Sequence, residues 1–143
     1  MKDNFVVLNE HSTADGGYYI QINTHLGAFS GYTTPDQIDK QYPSQFHASE
    51  IALAKALRKF AQAATRILKH EIKTLSNMIS ETFGHGPVDA KSHPVKVLLA
   101  TTKMKKEELK LWQDRIENIT ATIKNRIITR DRLVAKYNKD KNN

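Results

Sequence analysis

Lys55, Lys59, Gln62, Arg66, Lys69 and Lys73 succeed one another in steps of four, three, four, three and four. At about 100° of turn per residue, a helix gathers that spacing into one narrow stripe. The acids of the same stretch, Glu50, Glu71 and Glu81, fall outside it. The chemistry on offer is charge rather than bond making. Five cations along about 27 Å of helix can follow a phosphate backbone, and salt then weakens binding steeply. The stripe holds no aromatic residue for stacking bases and no evident set for reading base edges. Contact with nucleic acid would be nonspecific. An ordinary solvated face has the same pattern.

Other residue types give less. The six histidines, His11, His25, His47, His70, His85 and His93, show no i, i+4 pair and no HExxH-like spacing. No metal is expected. There is no GxGxxG, no P-loop and no GxSxG motif, and no carboxylate pair in an apolar setting. Ser30 lies between Gly27 and Gly31, but no helix opens directly after it, so a strand–turn role is expected. Neither catalysis nor a cofactor is expected. Tyr18, Tyr19, Phe29 and Tyr32 form an aromatic group near the N-terminus. Among them Tyr19, Phe29 and Tyr32 are candidates for a protein-binding patch, with core packing as the other role for such residues.

The chain of 143 residues suits one domain, or one domain with a helical extension, and an apolar content of 39% argues against wholesale disorder. There is no cysteine, which excludes disulfides and thiolate chemistry and suits a reducing cytosol. No apolar run approaches the roughly 20 residues of a membrane span, and Met1–Glu10 lacks the regions of a signal peptide. The net charge of +7 is unevenly placed. Residues 1–46 hold two cations against five acids, and residues 47–143 hold 20 against 10, giving −3 and +10. A basic body beside an acidic head points to an anionic partner.

The stripe needs a helix, and Ser49–Phe83 supplies one. Leu53, Leu57, Phe60, Ala64, Leu68, Ile72, Leu75, Ile79 and Phe83 recur in threes and fours on the side away from the cations. Ser49 has the chemistry of an N-cap, and Gly84 with Pro87 supplies the stop. A second helix begins near Pro94 or near Thr102. Its apolar row is Leu109, Trp112, Ile116, Ile119, Ile123, Ile127, Val134 and Tyr137. A short connection folds the two back antiparallel. That register puts Glu50 opposite Arg130, where a charge in an apolar row needs a partner. The remaining cations of the second helix mix with acids and read as a solvated face.

Ahead of the helices, Phe5–Leu8 is a short strand and Tyr18–Asn23 alternates as a half-buried one. A third strand lies within Ala28–Thr33. Thr34-Pro35-Asp36-Gln37 opens a short helix that Tyr42-Pro43 ends. Two strands alone are marginal, so Phe5, Ile20, Ile22 and Phe46 are expected to lean the sheet on the first turns of the long helix.

The segment Tyr18 to Phe60, YYIQINTHLGAFSGYT…QFHASEIALAKALRKF, resembles small accessory proteins of phages and mobile elements of low-GC Gram-positive bacteria. In these, a short β-meander displaying aromatics runs into an alanine-rich helix. The resemblance covers about a third of the chain and carries over no catalytic residue. It implies a bacterial cytoplasm and a binding role against a host or phage component.

The expected fold is α+β, with a small antiparallel β head (residues 1–48) packed on a long antiparallel two-helix hairpin (residues 49–143) as one cooperative unit. The expected function is non-catalytic binding of nucleic acid or of an anionic, nucleic-acid-handling protein through Lys55, Lys59, Arg66, Lys69 and Lys73. A counter-defence inhibitor fits that description. The alternative is a structural or assembly protein that oligomerises, for instance as a homodimer, through its long helices.

Overall fold

The computed structural model of the chain describes residues 4–13, 17–33, 44–83 and 93–141. Three strands, β1 (Phe5–Ser12), β2 (Tyr18–Thr24) and β3 (Gly27–Thr33), precede two long helices, α1 (Ser44–Phe83) and α2 (His93–Lys141). The architecture is α+β, an antiparallel sheet of order β1-β2-β3 on a helical hairpin. The short helix expected from Thr34 lies outside the described residues.

Strand alternation decides which side of the sheet meets α1. Tyr18, Ile20 and Ile22 of β2 stand opposite Thr33, Gly31 and Phe29 of β3, and paired residues share a face. Ile20 and Ile22 are buried against Ala52 and Ala56 of α1, with Phe5, Leu53 and Leu57 packed around them. The sheet can come this close because the facing residues are small. A Cβ built on Gly31 would stand 1.9 Å from the Ala52 carbonyl oxygen. Phe5, Ile20 and Ile22 thus form the expected contact, while the Phe46 side chain lies outside the described set.

β1 is longer than Phe5–Leu8. After a register shift between Val7 and Asn9, it continues to Ser12 by pairing with Tyr18–Gln21. Its polar second half shows no buried face because β1 is an edge strand, exposed from Val6 to Ser12. The β2–β3 turn is closed by Thr24, whose Oγ1 accepts from the Leu26 amide at 3.1 Å and donates to the Gly27 carbonyl at 2.9 Å. Gly27 has a φ of 116°, a backbone state that a side chain would strain.

α1 starts at Ser44, so Ser49 lies inside the helix rather than capping it. The earlier start lengthens the surface that meets the sheet. Ala48, in the added turns, is buried, and its carbonyl accepts a hydrogen bond of 2.8 Å from Thr33 Oγ1 at the end of β3. α1 ends at Phe83, directly before Gly84. α2 starts at His93, with Pro94 in a first turn that has no use for its missing amide proton.

The second buried side of α1 carries Phe60, Ala61, Ala64 and Leu68, which enclose Trp112 with help from Leu109 and Ile116. Phe60 and Trp112 have ring centroids 5.3 Å apart. Farther along α1, Glu71 takes an ion pair from Lys105, which comes earlier in α2. Later residues of one helix meeting earlier residues of the other make the hairpin antiparallel. α1 is therefore the central element, with the sheet on one side and α2 on another.

Candidate functional site

The row that follows the helical repeat lies between those two covered sides. Lys59, Gln62, Arg66, Lys69 and Lys73 are all exposed, and each step of three or four along α1 keeps the next side chain in line. From Lys59 to Lys73 the row extends about 21 Å at the rise of an α-helix.

Lys55 stands apart from the row that it begins. It is half-buried, and its Nζ donates to the Tyr32 carbonyl of β3 at 3.2 Å. Burial pushes the pKa of this ammonium below its usual value, and the positive charges of Arg58, Arg130 and Lys59 push the same way. Lys55 ties the head to α1 at the point where cations are densest.

The hairpin register adds α2 residues to that end. Arg130 is 8% exposed, with its Nε 3.6 Å from an Asp131 carboxylate oxygen. His47, in the first turns of α1, has its pKa lowered first by burial and then by Arg126 and Arg130, with Glu50 opposing. Glu50 and Arg130 thus act on the same spot, as the antiparallel register requires. His47, Thr122, Asn125, Arg126 and Thr129 line a recess of 220 Å³. Arg126 and Arg130 are one helical turn apart, and only the register between the helices could have assigned them to this end of α1.

The aromatic candidates divide between the two faces of the sheet. Tyr19 and Tyr32 are directly opposite one another on the face away from α1, and His11 pairs with Tyr19 at a centroid distance of 5.3 Å. Tyr32 is exposed and Tyr19 half-buried. Phe29 turns to the other face and packs against Phe60, centroids 5.8 Å apart. The strand period of two puts Phe29 with Gly27, Gly31 and Thr33, away from Tyr32. Tyr18 also faces inward and donates a 3.1 Å hydrogen bond to Glu10, and its pKa is raised by burial and then by that acid.

Among the described residues no group of three or more histidines and acids is placed to hold a metal, and no helix is long and apolar enough to cross a membrane. His85 lies outside the described residues. What the arrangement offers is a strip of positive charge beside a small aromatic sheet face. No family model, curated protein or solved structure matches the chain.

Proposed function

We propose that the chain is a non-catalytic binding protein that grips a nucleic-acid backbone along the exposed row Lys59, Arg66, Lys69 and Lys73. The observation that supports this reading is the row itself, which carries no acid and is left open by both the sheet and α2. Arg58, Arg126 and Arg130 extend the positive field at one end. Tyr19 and Tyr32 provide a neighbouring face for a protein that handles the same nucleic acid. In the resemblance noted above, such a protein works in the cytoplasm of a bacterial host, and blocking a defence nuclease is one use for it. Titration with labelled duplex and single-stranded oligonucleotides tests the proposal. Affinity should fall about a hundredfold between 50 and 200 mM salt if about four phosphates are neutralised. An acidic protein surface would use the same cations. Its signature would be a loss of partner capture in Lys59→Glu/Arg66→Glu/Lys69→Glu without any oligonucleotide binding by the native chain.

A second reading, an assembly protein, is favoured by one feature of α2. Val97, Met104 and Leu111 are spaced by seven residues and are 49%, 69% and 57% exposed. Such a seam suits a second helix. Sedimentation of the native chain against Met104→Glu/Leu111→Glu, in low and high salt, separates this role from the first.

A further inference from the structure

The two outer strands of the sheet differ in what they meet. β3 is engaged by α1: the Tyr32 carbonyl accepts from Lys55, Thr33 donates to the Ala48 carbonyl, and Gly31 lies against Ala52. β1, at the other end of the order β1-β2-β3, is exposed from Val6 to Ser12. An outer strand turns alternate amides and carbonyls away from its neighbour, toward any strand that is added next. Proteins that stay apart blunt such an edge with Lys, Pro or an inward charge, or bend it with a bulge. β1 holds no Lys, Arg or Pro, in a chain with 22 basic residues. Its one acid, Glu10, accepts from Tyr18 of the same chain and lies beyond the register shift between Val7 and Asn9. The half before the shift is apolar on both faces. Val7 pairs with Ile22 on the side of α1 and Val6 with Asn23 on the other, and Val6, Val7 and Leu8 are 66%, 41% and 54% exposed.

We propose that β1 is the seam of a homodimer, in which two copies join their first strands antiparallel and make one continuous sheet. The strand that adds here must be apolar on both faces and must bring backbone groups of its own to pair, and β1 itself meets both demands. A two-fold axis at Val6 sets Val6 against Val6 of the second copy and Phe5 against Val7, so apolar residues meet on both faces. The register shift bends the strand past Val7, which ends the pairing before its polar half. The two copies of Glu10 then fall at opposite ends of the seam, and no like charges meet along it. The seam also lies in residues 1–46, of charge −3, whereas a dimer through the helices joins two bodies of +10. The proposal is independent of the basic row and uses a surface other than Val97, Met104 and Leu111 of α2.

Sedimentation equilibrium of the full chain should show monomer and dimer exchanging with a Kd on the order of 100 µM, as suits so short a seam. Val6→Lys, a change at an exposed position, should weaken the dimer at least about tenfold and leave the melting temperature of the dilute protein unchanged. Met104→Glu/Leu111→Glu should dimerise like the native chain. The chain has no cysteine, so Val6→Cys carries a single thiol. Opposed residues of antiparallel strands have Cα atoms about 4.5–5.5 Å apart, within disulfide reach, so mild oxidation should link Val6→Cys into a covalent dimer and leave Met104→Cys unlinked. The proposal is overturned by a native chain that stays monomeric at about 500 µM, which is the result for an edge kept for a strand of another protein. Equal dimerisation of Val6→Lys and the native chain, loss of the dimer in Met104→Glu/Leu111→Glu, or linking of Met104→Cys in place of Val6→Cys would overturn it as well.

Discussion

Lys55 Nζ on α1 donates to the Tyr32 carbonyl of β3 across 3.2 Å, so the first cation of the basic row fastens the head to the hairpin. The two parts of the molecule join at this point, and the cations that follow are left to solvent. Lys55→Ala should lower stability by about 1 kcal/mol through the lost hydrogen bond, and should weaken polyanion binding less than Arg66→Ala does. Denaturant unfolding and an oligonucleotide titration of the two variants measure both halves of this expectation.

Gly31 and Ala52 set how closely the sheet approaches α1. A Cβ at position 31 would overlap the Ala52 carbonyl, which is backbone and cannot move aside. Gly31→Ala should therefore destabilise by about 3 kcal/mol or more, because sheet and helix must separate to admit one methyl group. Gly27→Ala meets no atoms within 4 Å and strains only a φ of 116°, so its cost should be smaller, about 1 kcal/mol. Thermal melts of the pair give the order directly, and equal melting points would refute the close docking.

The hairpin is held by its aromatic cluster rather than by its ion pair. Trp112 is buried against Phe60, and truncation to Ala should cost about 3–5 kcal/mol. The Glu71–Lys105 pair is partly exposed, so Glu71→Gln should cost far less than Trp112→Ala and its effect should shrink in high salt. Chemical denaturation of both variants at two salt concentrations checks the contrast.

His47 makes stability depend on pH. Its folded pKa lies below the ordinary value because burial and the charges of Arg126 and Arg130 oppose protonation more than Glu50 favours it. The unfolded chain therefore takes up the proton first as pH falls. This contribution is intact above about pH 6.5 and declines as pH drops through that value toward the folded pKa. His47→Gln should flatten that part of the melting-temperature profile. A variant profile parallel to the native one would remove His47 as the cause.

The two helices and three strands can be read from periodicity, because apolar rows in threes and fours or in alternation need no tertiary information. The docking of the sheet cannot be read that way. It depends on Ala48, Ala52, Ala56 and Gly31, whose small size gives them little weight in any apolar row, although size is what permits the approach. The true start of α1, ahead of Ser49, goes with a tertiary contact that no local pattern encodes, since Ala48 is buried and its carbonyl accepts from Thr33. The second half of β1 was hidden because Asn9–Ser12 has no buried face to pattern it. Within the candidate site, the row from Lys59 to Lys73 follows from helical spacing alone. The engagement of Lys55 by Tyr32 and the arrival of Arg126 and Arg130 depend on how separate elements meet, which no local pattern encodes. The direction of Phe29 was present in the alternation of β3, which sets it on the face opposite to Tyr32.

The most direct test of the account is a fluorescence-anisotropy titration of a labelled duplex with the native chain and with Lys59→Glu/Arg66→Glu/Lys69→Glu, in low and in physiological salt. The account predicts binding by the native chain that weakens about a hundredfold over that salt range and is lost in the triple variant, whose melting temperature stays unchanged. Equal binding by the two proteins, or no binding by the native chain in low salt, would contradict it.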